Sequence, residues 1–101
     1  MTLFAALYRS TQVAPPKSLE MLRGPETVAL RCTLEGCSRC AGFKQTSEFE
    51  AFESKFEHVI PWECDREEYK TLAVDAGVGN LPAYIVIPPT GPIHVVEPLS
   101  G

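Results

Sequence analysis

The feature that most constrains this chain is a pair of cysteines, Cys37 and Cys40, placed between a short β-type run and a helical pattern. The stretch from Val28 to Phe43 contains all three parts. Where a helix begins, unpaired backbone N–H groups and the positive end of the helix dipole favour a thiolate over a thiol. Two cysteines three residues apart on one helical turn can also meet disulfide geometry with little backbone movement. This arrangement is typical of thiol-disulfide exchange.

The length and charge of the chain limit the classes of protein it can be. Its 101 residues, 45% of them hydrophobic, predict one domain over residues 1–101 with a single core. A formal charge of -4 without a basic block argues against a track that binds nucleic-acid phosphates, so we expect no nucleic-acid partner. The apolar run from Met1 to Tyr8 is ended by Arg9, which makes it too short to span a membrane. Because no secretory leader pattern follows, we expect a cytoplasmic protein with no membrane partner.

The rest of the chain alternates between strand-like and helix-like segments. β-rich runs predict four strands: Thr27–Thr33, His58–Glu63, Ala83–Ile87 and Ile93–Glu97. Thr2–Ser10 is compatible with a further, first strand, although its alanines and lack of clean alternation also permit a helical turn. Helical spacing predicts four helical segments: Ser18–Arg23, the stretch after Cys37 through Phe43, a restart at Thr46 or Ser47, and a helix between Asp65 and Gly77. We expect a break near Gln45 to Ser47. The Pro/Gly loop between the last two strands predicts a hairpin.

The spacing of apolar residues assigns buried faces to these elements. Val28, Leu30 and Cys32 share one face of the second strand, which leaves Arg31 on the other face and in need of a partner. We expect the stem of Arg31 to pack while its head reaches the surface. A second apolar stripe consists of three phenylalanines at helical spacing: Phe49, Phe52 and Phe56. This stripe is expected to lie on the sheet as part of the core.

Three local signals refine the element boundaries. Pro61 predicts an edge position or a bulge for the third strand, because proline cannot donate a ladder hydrogen bond. Ser47 with Glu50 has the form of a capping box, and so does Asp65 with Glu68. We therefore expect Ser47 and Asp65 to cap the helices that follow them.

The order of these parts resembles the thioredoxin superfamily: a strand, Cys-x-x-Cys, a helix, a strand, a helix, a Gly-x-Leu-Pro turn and a β-hairpin. The likeness covers Thr27 to Glu97. It implies an α/β thioredoxin-like fold with a central mixed β-sheet flanked by helices, lacking the usual C-terminal helix. Either the phenylalanine helix covers the sheet face which that missing helix would cover, or a partner does. An uncovered face would favour self-association.

The resemblance also implies roles for four residues. Cys37 resembles the exposed nucleophile of the family, and Cys40 resembles its buried resolving cysteine. Pro82 matches the cis-proline that precedes the family's hairpin. The resemblance implies that Leu81 offers backbone groups to a substrate peptide and that Pro82 lies against the cysteine pair.

The residues around the two cysteines depart from the thioredoxin pattern, which usually reads Trp-Cys-Gly-Pro-Cys. Here Gly36, Ser38 and Arg39 fill the flanking and interior positions, and we expect them to contact the substrate. An Arg beside the nucleophile stabilises its thiolate. The couple becomes more oxidising by ~30 mV for each 1.4 kcal/mol by which the reduced form is favoured. We therefore expect a potential nearer to that of glutaredoxins. Arg31 stands where thioredoxins keep a buried Asp.

These observations together predict a thiol-disulfide oxidoreductase of the protein-disulfide reductase kind. Its expected partners are disulfide-containing protein substrates and, as electron donor, a reductase or glutathione. We expect no cofactor and no metal ligand at the redox site.

Two alternatives stay open at the level of sequence. Cys32 and Cys64 could join Cys37 and Cys40 in a structural zinc site, since four thiolates are the usual count. Against this, Cys32 and Cys64 lie in or beside strands and are expected in the core as free, small hydrophobes. The other alternative is a catalytically silent thioredoxin-like interaction module, because a fold does not define an activity.

Overall fold

A computed structural model describes residues 16–99 of the chain, so the candidate first strand at Thr2–Ser10 lies outside the described residues. No helix in residues 16–99 is long and apolar enough to cross a membrane. The described elements, in chain order, are a 3₁₀ helix at Leu19–Leu22, β1 at Val28–Thr33, α1 at Ser38–Lys44, α2 at Glu48–Glu53, β2 at His58–Glu63, α3 at Glu67–Ala76, β3 at Ala83–Ile87 and β4 at His94–Val96.

The four described strands form one mixed sheet in the order β2-β1-β3-β4. β1 and β2 are parallel, with Val28 opposite His58, whereas β3 is antiparallel to both β1 and β4. A parallel pair needs a crossover connection, and α1 and α2 form that crossover here. Within the described sheet β2 is an edge strand, as Pro61 predicted.

One face of the sheet is covered by α3 and the 3₁₀ helix. Leu30 and Cys32 of β1 are fully buried on this face together with Ile85 of β3, which confirms the buried face predicted for β1. α3 packs on them through Leu72 and Ala73, two of the residues at helical spacing. The helix ends where the backbone adopts a left-handed conformation at Gly77, with φ at 108°, which glycine adopts at little cost.

The opposite face is covered by α1 and α2 through an aromatic cluster. Its members are Phe43, Phe49, Phe52, Phe56 and Tyr84. Neighbouring ring centroids in this cluster lie 4.8 to 6.4 Å apart, mostly edge to face. The phenylalanine stripe therefore packs on the sheet, as predicted. The expected break between α1 and α2 also occurs, at Gln45–Ser47. Self-association through this face stays a prediction.

Two predicted helix caps are wrong. Ser47 makes no capping bond, because its own backbone is helical and its hydroxyl donates to the Glu48 carboxylate at 3.2 Å. Asp65 does not cap α3 either, since the helix begins two residues later at Glu67. The Asp65 carboxylate instead accepts the backbone N–H of Glu35 at 3.0 Å. In this case a bond between distant segments replaces the local cap.

Arg31 has its partner in Glu53 of α2. Nε and Nη2 of Arg31 donate to the two carboxylate oxygens at 2.6 and 3.0 Å, and the Tyr84 hydroxyl donates to the same carboxylate. The guanidinium also lies over the Phe49 ring, 5.3 Å from its centroid. The Arg31 and Glu53 side chains are only 19% and 15% exposed, so the Arg31 head lies under α2 rather than at the surface. This network ties α2 to β1 and β3.

The ionisation of Glu53 depends on this network. Burial opposes its charge, but hydrogen bonds from Arg31 and Tyr84 outweigh burial and lower the pKa of Glu53. A carboxyl with a lowered folded-state pKa contributes stability above its unfolded pKa. That contribution is lost as the pH falls through the folded-state pKa.

We expect Glu53→Gln to reduce the free energy of unfolding by about 1–3 kcal/mol at neutral pH, because it breaks charge-assisted bonds to a half-buried Arg31. Urea denaturation measures the difference from the unmodified chain. The difference should shrink in acid, where the carboxyl of Glu53 is protonated. Glu50→Gln, which changes an exposed carboxylate on the same helix, is the control. Equal losses for the two variants would contradict the structural role of Glu53.

Candidate functional site

The cysteine pair lies at the junction of β1 and α1. Cys37 is the residue that precedes α1, with an extended backbone at φ −78° and ψ 104°, and Cys40 lies in the first turn. The two cysteines form a disulfide, with their Cα atoms 5.3 Å apart. Both sulfurs are thus at the start of a helix that follows a buried strand, as the sequence predicts.

A short turn between β1 and α1 positions Cys37. The backbone N–H of Cys37 donates to the Leu34 carbonyl at 3.1 Å, which closes the turn. Gly36 has φ at 84°, a left-handed conformation that other residues rarely adopt. The carboxylate of Asp65, just after β2, accepts the N–H of Glu35 and so holds the turn from a neighbouring strand end. The position of Cys37 is therefore set by the backbone geometry of the turn together with the bond to Asp65.

The two sulfurs have different surroundings. Cys37 is half-buried, whereas Cys40 is only 5% exposed. The backbone N–H of Cys40 donates to the Cys37 sulfur at 3.1 Å. Once the disulfide is reduced, this N–H and the adjoining helix dipole favour a thiolate on Cys37. The arrangement provides an accessible sulfur that can attack and a protected sulfur that can resolve.

The structure places the remaining predicted site residues in two groups. Gly36, Ser38 and Arg39 are exposed on the turn and first helical turn that carry the cysteines. Leu81 and Pro82 precede β3; the peptide bond between them is cis, Leu81 is half-buried and Pro82 is buried. That all five contact a substrate stays a prediction.

A cleft of about 460 Å³ lies beside the turn that carries Cys37. Its lining includes Leu34, Cys64, Asp65, Lys70, Val74 and Leu81. Leu34 and Val74 are 43% and 58% exposed, which gives the cleft an apolar rim. The cleft was not predicted from the sequence, because its walls come from the turn, the end of β2, α3 and the loop before β3. The exposed apolar side chain of Leu34, beside the cysteines, is the one local signal of it.

The other two cysteines, Cys32 and Cys64, are buried and unbonded, as predicted. Both lie in the core beneath α3, where the Cys32 thiol donates to the Leu30 carbonyl at 3.6 Å and the Cys64 thiol donates to the Trp62 carbonyl at 4.0 Å. The zinc alternative would require these two sulfurs to meet Cys37 and Cys40. Within residues 16–99, no group of three or more His, Cys, Asp or Glu side chains is placed to hold a metal ion. Cys32 and Cys64 are therefore part of the core, whereas Cys37 and Cys40 form the disulfide.

These features define a protein of thioredoxin-like fold with a Cys-x-x-Cys disulfide at the start of a helix. No protein-family model and no curated protein sequence matches the chain. Among solved structures, the chain is similar to the J-Trx1 fragment of ERdj5, with a TM-score of 0.55 and 14% identity over 76% of this chain. It is also similar to a thioredoxin from Thermus thermophilus, with a TM-score of 0.53 and 18% identity over 71% of this chain. The matches span 38% and 59% of those two chains.

We expect the reduced protein to react with iodoacetamide at Cys37 before Cys40, because Cys37 is more exposed and its sulfur accepts the backbone N–H of Cys40. Mass spectrometry of digested samples taken over time measures the order in which the two cysteines are alkylated. In urea, where the fold is lost, the two cysteines should react at similar rates. Alkylation of Cys40 first, or equal rates in the folded protein, would contradict the assigned asymmetry.

Proposed function

We propose that this protein is a thiol-disulfide oxidoreductase that reduces disulfides in other proteins. A redox function in general is indicated by the thioredoxin-like fold and the bonded Cys-x-x-Cys pair. The observation that carries the narrower proposal is the unequal exposure of Cys37 and Cys40 at the start of α1. One sulfur can meet a substrate while the other is kept from it.

The proposed reaction proceeds by two exchanges. The Cys37 thiolate attacks one sulfur of a substrate disulfide, forms a mixed disulfide and releases the other substrate sulfur as a thiolate. Cys40 then loses its proton and attacks the Cys37 sulfur. The Cys37–Cys40 disulfide forms, and the second substrate sulfur leaves reduced. A reductase or glutathione returns two electrons and two protons to the pair.

The surface around Cys37 supports a protein as the substrate. Gly36, Ser38 and Arg39 are exposed beside Cys37 in the chain, and Leu34, which begins the same turn, lines the cleft. Leu81, which also lines the cleft, would offer its backbone groups to an extended peptide. Apolar contact area of this kind favours a polypeptide over a small disulfide. The free thiols of the core support a reducing compartment such as the cytoplasm.

The central test is reduction of insulin with dithiothreitol as the electron donor, followed by turbidity. We expect the unmodified chain to accelerate precipitation and Cys37→Ser to return the rate to background, because the attacking sulfur is lost. Cys32→Ala is the matched control, since it removes a buried cysteine outside the pair, and it should keep most of the activity. An inactive but folded wild-type chain would overturn the proposal and favour the interaction module.

We expect Arg39→Ala to shift the reduction potential of the Cys37–Cys40 couple to a more negative value by up to about 20 mV, the effect of one exposed charge pair. Loss of the guanidinium removes a positive charge that favours the reduced, thiolate form. Equilibration in glutathione buffers measures the potential. Lys44→Ala, at the other end of α1, is the control and should shift it less. A positive shift would contradict the role of Arg39.

A further inference from the structure

The cleft beside the turn of Cys37 is close enough to the redox pair to contact a bound substrate. Leu34 lines the cleft and accepts the backbone N–H of Cys37 at 3.1 Å. A bond between residues three apart keeps their Cα atoms within about 7 Å of each other. The volume of about 460 Å³ is in the range of small-ligand pockets, so the cleft can hold side chains of a substrate but not a folded domain. Residues that flank a disulfide attacked by Cys37 therefore reach this cleft.

The wall of the cleft combines apolar side chains with carboxylates. Leu34, Val74 and Leu81 supply apolar surface, and the first two are exposed. Asp65 and Glu67 supply the carboxylates, and both residues are exposed as well. Lysine and arginine side chains pack a hydrocarbon stem along apolar surface and keep the charged head in water. A side chain of that kind matches both parts of this wall.

One of the two carboxylates is bonded to the turn that carries Cys37. Asp65 accepts the backbone N–H of Glu35 at 3.0 Å, and Glu35 belongs to that turn. Glu67, the first residue of α3, follows two residues after Asp65. The ion pairs found among residues 16–99 include neither Asp65 nor Glu67. The bond to Glu35 thus fixes one carboxylate near Cys37 while its charge is left for a partner from outside.

The cations in this part of the chain weaken the negative charge of the cleft but do not reverse it. Lys70 lines the cleft one helical turn after Glu67. Arg66 does not line it, and its guanidinium lies over the Tyr69 ring, 4.9 Å from the centroid. Arg39 is exposed on α1 and does not line it either. Among the described residues, the charged groups of the lining are two carboxylates and one amine, an excess that attracts cations.

We propose that the cleft is a specificity subsite, which selects substrates with a lysine or arginine next to the disulfide cysteine. The selected side chain lies along Leu34 and Val74, and its charged head is attracted by Asp65 and Glu67. An acidic side chain in the same place is repelled. This inference rests on the proposed function, because the selected molecule is the substrate of the exchange reaction.

The test measures how fast Cys37 forms a mixed disulfide in the full chain with Cys40→Ser, which stops the reaction at that step. The probes are three short peptides, each a disulfide-linked dimer, that differ only in the residue beside the cysteine: lysine, glutamine or glutamate. The Cys37 thiolate attacks one peptide sulfur, and the other peptide leaves as a thiolate. Intact mass and peptide mapping give the rate at Cys37.

We expect the lysine peptide to react faster than the glutamate peptide by about two- to fivefold, the effect of one exposed ion pair. The ratio is corrected by the same ratio in urea, which measures the intrinsic difference between the peptides. The glutamine peptide should react at an intermediate rate. Salt at 1 M should lower the corrected ratio towards unity, because salt screens exposed charges. Equal corrected rates for the three peptides would overturn the subsite.

Matched variants separate the cleft from the overall charge of the chain. Glu67→Lys should remove or reverse the preference for the lysine peptide. Glu68→Lys makes the same charge change at an exposed neighbour that does not line this cleft, and it should keep the preference. Asp65→Asn should reduce the preference, and its amide oxygen can still accept the N–H of Glu35. Circular dichroism checks that all three fold. Equal effects of Glu67→Lys and Glu68→Lys would overturn the proposal.

The outcome is distinguishable from a failure of the proposed function. A chain that reduces insulin but does not discriminate among the peptides would overturn the subsite and leave the oxidoreductase proposal intact. A chain that is inactive on insulin still has a Cys37 thiol whose reaction with the three peptides can be compared. A preference for the lysine peptide in that chain would support the selection of cations and overturn only the reduction of protein disulfides.

Discussion

The site depends on how β1 ends. This strand is paired on both sides, with β2 in parallel and β3 antiparallel, so its last residue has a fixed position and direction. The bond between the Cys37 amide and the Leu34 carbonyl, and the bond between Asp65 and the Glu35 amide, fix the turn that follows. As a result the sulfur of Cys37 accepts the backbone N–H of Cys40 in the first turn of α1. If these bonds were absent, the same two cysteines would not have the same preference for a thiolate on Cys37.

The two faces of the sheet contribute differently to the molecule. The aromatic cluster and the Arg31–Glu53–Tyr84 network anchor α1 and α2, the crossover that carries the cysteines. The face under α3 contains Cys32 and Cys64 and opens into the cleft. One layer therefore holds the reactive pair in place, and the other provides the surface beside it. Arg31 is bonded to Glu53 within this first layer.

Much of this architecture can be predicted from local patterns in the sequence. β-rich runs located β1, β2 and β3, phenylalanine spacing located the sheet-facing stripe, and Gly77 located the end of α3, because each depends on neighbouring residues. The features that were predicted wrongly or missed have the opposite cause, because they depend on residues that are distant in the sequence. The carboxylate of Asp65 bonds to a turn thirty residues earlier in the chain, the partner of Arg31 comes from a different layer, and the walls of the cleft come from four segments. Such features depend on tertiary contacts that no local spacing encodes.

The central claim is that Cys37 forms a covalent bond with outside proteins and that Cys40 breaks it. Trapping tests this most directly: the Cys40→Ser variant is incubated with oxidised insulin, and the products are separated without reductant. The account predicts a covalent complex joined through Cys37, which dithiothreitol dissolves and which Cys37→Ser abolishes. Absence of a complex in the folded variant, or a complex joined through Cys32 or Cys64, would contradict it.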